Sequence, residues 1–279
     1  MEDGREATGG LSCACPAPAG VRFGLLIALA ALVAALLYGS AAGGAFDHDH
    51  AAWTALLGRF VHDGLVDYAG LEQGGEADLA AYLRALESVR RTDYESWTRE
   101  QKLAFWINAY NAHMVRLILD HYPLKSVQDI GILPGAAFRT RSIAMPGLRP
   151  GKLSLDDIEH RILRQEFSEP RIHSAIVCAS KGCPALRSEA YRAGDLDRQL
   201  DEAVRAYIGD GTRNRFDAAS NTLYLSSIFK WFREDFERAA GSLPAFVARY
   251  AGEPLATALR SGNVRIDFLD YDWSLNGTR

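Results

Sequence analysis

The chain has 279 residues, 48% hydrophobic and 24% charged, enough to bury the core of one globular domain. Its formal net charge of −4, with acids and bases interleaved, leaves no basic stripe for nucleic acid and no polybasic patch for anionic lipid. No Walker loop, dinucleotide glycine fingerprint, His-Glu-x-x-His or Gly-x-Ser-x-Gly occurs, which disfavours nucleotide-dependent and serine-hydrolase chemistry.

The N-terminal tail, residues 1–45, carries an unbroken apolar run at 23–38 and a Gly/Ala-rich linker after it. That run suits a signal-peptide core, or an uncleaved signal anchor if it continues through Ala42, given a hydrocarbon thickness of about 30 Å. The expected address is therefore outside the cytoplasm, periplasmic or held at the inner membrane by the apolar segment. Cys13 and Cys15 precede the run, so Cys178 and Cys183 are the thiols of the exported part. In an oxidising compartment such a pair can form a disulfide.

The second unit, 46–279, reads as a single domain. Residues 51–64 have helical apolar spacing through Trp53, Leu56, Leu57 and Phe60, and Asp47 or Asp49 is the candidate cap. The Asp-His-Asp-His run before it reads as a solvated helix start rather than a metal cluster. Residues 78–89 form a second amphipathic segment. The strongest helix spans 98–121, opened by a Thr98/Gln101 capping box. Asn108 and Asn111 within it are costly in an apolar stretch unless bonded, so they tie the helix to neighbouring backbone or orient a ligand.

Residues 138–144 and 148–153 are expected to pair as a hairpin, and Ser154 caps a helix over 155–167 with Asp157 in the capping-box position. Glu159 and His160 lie beside its apolar stripe. After Ser168-Glu169-Pro170, residues 171–178 read as an interior strand. A straight strand sends His173 and Cys178 to opposite faces, about 16 Å of chain apart. A helix at 195–208, a hairpin of 214–217 with 222–225, a helix opening at 226–232, short helices at 243–250 and 255–260 and a strand at 264–269 complete the chain. The class is α+β: mainly helices packed on short antiparallel hairpins and one interior strand.

The densest chemistry is at 169–186, with His173, Cys178, Ser180, Lys181 and Cys183. Cys178 as nucleophile needs a base, His173 or His160, and an orienting group such as Glu159, Asn108 or Asn111. The 179–182 loop offers backbone N–H donors for an oxyanion. Against this thiol-dependent hydrolase or acyl transferase, acting on a peptide-like or amide substrate, stands a Cys178–Cys183 disulfide with the histidines bonded structurally. A metal site on His160, His173 and Glu159 is a third, weaker alternative, and no metal or cofactor is expected. Candidate binding residues are Asn108, Tyr110, Asn111, Arg171, Ser180, Lys181, Lys230 and Trp231. The favoured role is binding or scaffolding for an unidentified small molecule or peptide.

Several runs together resemble one family: Phe46-Asp47-His48, Val66-Asp67-Tyr68, Phe105-Trp106-Ile107-Asn108-Ala109-Tyr110-Asn111 and Leu153-Ser154-Leu155-Asp156-Asp157-Ile158-Glu159-His160. Arg171-Ile172-His173 with Cys178-Ala179-Ser180-Lys181-Gly182-Cys183-Pro184, Ser227-Ile228-Phe229-Lys230-Trp231 and Tyr271-Asp272-Trp273-Ser274-Leu275-Asn276 complete the set. The chain thereby resembles an exported bacterial member of the domain of unknown function 547 family. The resemblance implies that these runs share one domain and favours export, but brings no activity.

Overall fold

In this structure, a computed structural model, residues 45–133 and 135–278 are described. The apolar run at 23–38, Cys13 and Cys15 lie outside them, and no helix among the described residues is long and apolar enough to cross a membrane. Phe46–Arg279 forms one compact unit, α+β in class, with helices around three small sheets.

Its spine is the helix Arg99–Leu119. Thr98 accepts from the Gln101 backbone at 3.2 Å while the Gln101 side chain accepts from Thr98 N–H at 2.9 Å, so the capping box forms as the sequence implies. Leu103 to Val115 is buried without a break, wider than an amphipathic stripe, because other elements wrap the helix on all sides. The helices Ala51–Phe60 and Glu76–Glu87 pack on the N-terminal part of the domain, Trp53 stacking on Tyr82 at 5.4 Å. Asp47 accepts from the Ala51 N–H at 2.8 Å. His50 is buried, its Nδ1 2.7 Å from Tyr82 Oη, and burial lowers its pKa to about 4; it belongs to the packing of the helix start.

Two strand pairs are only two residues long: Val61–His62 with Leu65–Val66, and Ile143–Ala144 with Lys152–Leu153. The second is the hairpin expected at 138–153, shortened because Ala136–Arg139 coils into a helical turn. The third sheet joins Arg215–Asp217 antiparallel to Thr222–Leu225, and the latter parallel to Arg265–Phe268. A second apolar cluster around Phe229, Phe236 and Phe246 lies under this sheet and the C-terminal helices.

Two further departures from the sequence expectation shape the site. The helix after Ser154 is a π-helix over Asp157–Phe167, its start fixed by Asp157 N–H donating to Ser154 Oγ and Ser154 N–H to Asp157 Oδ2, each 3.0 Å. Widened turns of this kind recur at functional sites. The interior strand expected at 171–178 is absent: Pro170–Ser174 is a 3₁₀ turn and the chain then runs irregularly. Its backbone groups find partners other than a ladder. Asn111 Nδ2 donates to Ala175 O at 3.0 Å, and Val177 N–H donates to Asn111 Oδ1 at 2.9 Å. A buried amide thus meets the demand that a sheet would have met.

The C-terminal segment is laced across these elements. Leu275 N–H donates to Lys125 O, Asn276 N–H to Ala179 O and Val66 N–H to Asn276 O, at 2.8–3.0 Å. Tyr68 Oη donates to Asn276 Oδ1 at 2.9 Å. This lacing brings Tyr271 and Trp273 over the 178–183 loop.

Candidate functional site: a cavity between the π-helix and the cysteine loop

A cavity of about 200 Å³ is lined by Asp156, Glu159 and His160 from the π-helix segment, Tyr110 from the long helix, and His173, Cys178 and Cys183. Phe138, Phe232, Trp231, Tyr271 and Trp273 supply its apolar and aromatic walls. With the 171–178 strand gone, His173 and Cys178 no longer face apart; both border the same space.

His173 is held at one ring nitrogen and on one ring face. Its Nε2 is 2.8 Å from Asp235 Oδ2, and Arg164 grips the same carboxylate through Nε at 2.6 Å and a second guanidinium nitrogen at 3.2 Å. Burial alone would raise the Asp235 pKa. The hydrogen bonds from His173 and Arg164, with the guanidinium charge, outweigh it and hold the carboxyl ionised well below the usual range. An ionised carboxylate only accepts, so His173 donates from Nε2. Burial lowers the imidazole pKa despite Asp235, keeping the ring neutral. Nδ1 is then a bare acceptor. It is buried and without a hydrogen-bond partner, with Glu159 Oε1 3.8 Å away. Phe232 stacks on the ring at 3.9 Å and 15°, fixing its plane.

Glu159 lines the cavity beside this imidazole. Burial first, then the negative charges of Asp156 and Asp235, push its pKa up to about 7, against the opposing pull of Arg164 and a hydrogen bond with Tyr110. Tyr110 itself is driven far up by burial and stays a donor. Asp156 is also raised, chiefly by burial. His160 is lowered by burial; Arg164 donates to its Nδ1 at 3.2 Å, which leaves its proton on Nε2. Among the described residues no group of three or more His, Cys, Asp or Glu is arranged to hold a metal ion.

The opposite wall is the Cys178–Cys183 disulfide, with Cα atoms 6.2 Å apart. Cys178 N–H donates to Cys183 Sγ at 2.8 Å, and Tyr271 Oη is 3.1 Å from both sulfurs. Ser180 Oγ touches Tyr271 Oη at 3.2 Å and Cys178 Sγ at 2.9 Å from behind. Gly182 is required here, because a Cβ would stand 2.8 Å from the Tyr271 ring and 3.0 Å from Asp272 O. Above the loop Trp231, Tyr271 and Trp273 form an aromatic rim, with ring centroids 4.6–5.8 Å apart and Trp231 48% exposed.

Of the residues singled out from the sequence, Glu159, His160, His173, Cys178, Cys183, Tyr110 and Trp231 meet at the cavity. The others do not line it. Asn108 is buried and clamps Tyr191, donating to its carbonyl at 2.7 Å and accepting from its N–H at 3.0 Å. Arg171 is held by Glu169, Asp197 and Asp201. Lys181 borders a separate hollow with Arg213 and Asp272, and Lys230 projects over Phe268. Sequence reasoning did not find Asp235 or Arg164, and it quoted Asp156, Tyr271 and Trp273 only within the family resemblance. The segment 233–240 holds one buried apolar residue, Phe236, so it gives little helical periodicity to notice.

Residues 94–208 match the model of a family described as a protein of unknown function, DUF547. No curated protein and no solved structure matches the chain. The matched stretch contains Tyr110, Glu159, His173 and both cysteines; Asp235 and the aromatic rim lie beyond it.

Proposed function

We propose that the cavity binds a small, ring-bearing polar molecule and exchanges a proton with it through Glu159; residues 94–208 match the DUF547 model, whose description carries no activity, so the reading rests on the cavity itself. The observation that carries the proposal is a carboxyl group with a pKa of about 7 at the cavity wall, backed by a neutral imidazole whose own orientation is set by Asp235 and Arg164. Opposed burial and charge effects of this kind are how proteins make a proton donor and acceptor usable near neutrality. Trp231, Tyr271 and Trp273 offer flat faces for stacking, and the described residues that line the cavity include no Lys or Arg, which favours a neutral ligand over an anion. Asn108 and Asn111 act by holding the backbone that builds the cavity rather than by touching the ligand.

The protein is assigned an exported location, with membrane attachment if the 23–38 run is uncleaved. Supporting this are that run and a bridged cysteine pair, which persists in oxidising compartments. A thiol-dependent hydrolase or acyl transferase acting on an amide remains a second reading, favoured by Cys178 and His173 sharing one cavity. The bridge opposes it, since a bonded sulfur is not a nucleophile.

The test is a panel of neutral sugars, peptides and amides titrated against tryptophan fluorescence between pH 5.5 and 8.5. Binding whose affinity changes through a midpoint near 7, and loses that dependence in Glu159→Gln, is the expected result. Binding insensitive to both pH and the substitution overturns the assignment of Glu159.

A further inference from the structure

The geometry points to the Cys178–Cys183 bridge being a working thiol–disulfide exchange pair, open from the cavity to a small dithiol. Four observations lead there, none of which uses the proton chemistry of Glu159. First, both sulfurs line the cavity, and Cys178 is the more exposed, Cys183 being only 2% accessible. An incoming thiolate therefore meets Cys178 Sγ. Second, the sulfur that must leave already has its donors: Cys178 N–H at 2.8 Å and Tyr271 Oη at 3.1 Å converge on Cys183 Sγ. Hydrogen bonds to a charged sulfur stabilise the thiolate and make it a better leaving group.

Third, the loop does not depend on the bridge for its shape. Lys181 N–H donates to Ser274 O, Gly182 N–H to Asp272 O, Cys183 N–H to Ser180 O and Asn276 N–H to Ala179 O, all within 3.1 Å. Opening the S–S bond leaves these ties in place. Fourth, a bridge spanning so few residues adds modest chain-entropy stabilisation compared with one closing a long loop. A sulfur pair at a cavity wall and ringed by donors is thus better explained by chemistry than by stapling.

The step balances with a dithiol as the reductant. One thiolate of the dithiol attacks Cys178 Sγ; the S–S bond breaks and its electron pair stays on Cys183 Sγ. A mixed disulfide now joins the reagent to Cys178. The second thiolate of the reagent attacks the reagent's own sulfur in that mixed disulfide, closing a disulfide in the reagent and releasing Cys178 as thiolate. The dithiol loses two electrons and two protons; the pair gains the two electrons, and the protons pass to the thiolates or to water.

The experiment uses the full-length protein with dithiothreitol, without denaturant, followed by timed alkylation and mass spectrometry. The expected result is complete native reduction, with the protein still folded by circular dichroism and the bridge reformed by oxidised dithiothreitol. Tyr271→Phe, which removes the hydroxyl donor from the leaving sulfur Cys183 Sγ, is expected to slow reduction about tenfold. Cys183→Ser is expected to accumulate a stable mixed disulfide with oxidised glutathione on Cys178. Resistance of the native bridge to reduction overturns the inference. So does an unchanged rate in a Tyr271→Phe variant, or, should that variant unfold, an absence of adduct on Cys178 in Cys183→Ser. No cavity ligand is needed for any of these readouts, so their failure is separable from failure of the Glu159 assignment.

Discussion

Glu159 Oε1 stands 3.8 Å from the unpartnered Nδ1 of His173, and the far nitrogen of the same ring is 2.8 Å from Asp235. A carboxyl that titrates near neutrality is therefore separated by one imidazole from a carboxyl that stays ionised. The two differ because Arg164 grips Asp235 bidentately, while at Glu159 the more distant charge of Arg164 and a tyrosine hydroxyl do not offset burial and the neighbouring carboxylates.

The raised pKa of Glu159 has a definite sign in stability. The folded protein binds the proton more tightly than the unfolded chain, whose glutamate titrates near 4.5. The contribution is full below 4.5 and is lost as pH rises through about 7. Glu159→Gln is expected to remove this slope, so that its stability relative to wild type rises by up to about 3 kcal/mol between pH 4.5 and 8. Urea denaturation at a series of pH values measures it; parallel curves for the two proteins contradict it.

Asp235 behaves oppositely. Its depressed pKa gives stability that is present above the unfolded carboxyl value and is lost as pH falls below it. Asp235→Asn leaves the Arg164 guanidinium and the His173 ring without their anion, and is expected to cost roughly 2–4 kcal/mol at pH 7. The difference from wild type should shrink below about pH 4. His173 should also lose its fixed tautomer, visible in the imidazole nitrogen shifts.

Asn108→Ala and Asn111→Ala each delete two buried hydrogen bonds and strand backbone groups of Tyr191, or of Ala175 and Val177. Each is expected to cost about 2–4 kcal/mol in chemical denaturation. Ligand affinity of the fraction that remains folded should be little changed. A stable variant with abolished binding would place the asparagine at the ligand instead.

Cys178→Ser removes the bridge and is expected to lower stability by about 2 kcal/mol while ligand binding persists. Loss of a measured turnover with unchanged binding would favour the thiol reading. Gly182→Ala is expected to push the Tyr271 ring aside and perturb the fluorescence of Trp231 and Trp273, because the added methyl lies 2.8 Å from that ring.

Local signals were legible where local rules govern. The Thr98/Gln101 box, the hairpin of Arg215–Asp217 with Thr222–Leu225, and the helices Leu243–Tyr250 and Leu255–Arg260 follow from capping, turn and apolar spacing. Chemical density marked Glu159, His160, His173 and Cys178 as candidates, but their meeting at one cavity depends on the 171–178 segment not being a strand, which the sequence did not show. The segment 171–178 misled because its apolar run fits a buried strand; a side chain 64 residues away, Asn111, takes the backbone bonds instead. Asp235 was silent for a similar reason. Its partners, Arg164 and His173, lie 71 and 62 positions distant, and nothing in the polar run around it marks one carboxylate from another.

The most direct measurement is the titration of the Glu159 carboxyl itself, by difference infrared spectroscopy of the protonated C=O band in wild type against Glu159→Gln. A band lost in the variant, with a midpoint near pH 7, is the predicted result. A midpoint near 4.5, the ordinary glutamate value, would contradict a proton-exchanging role for the cavity.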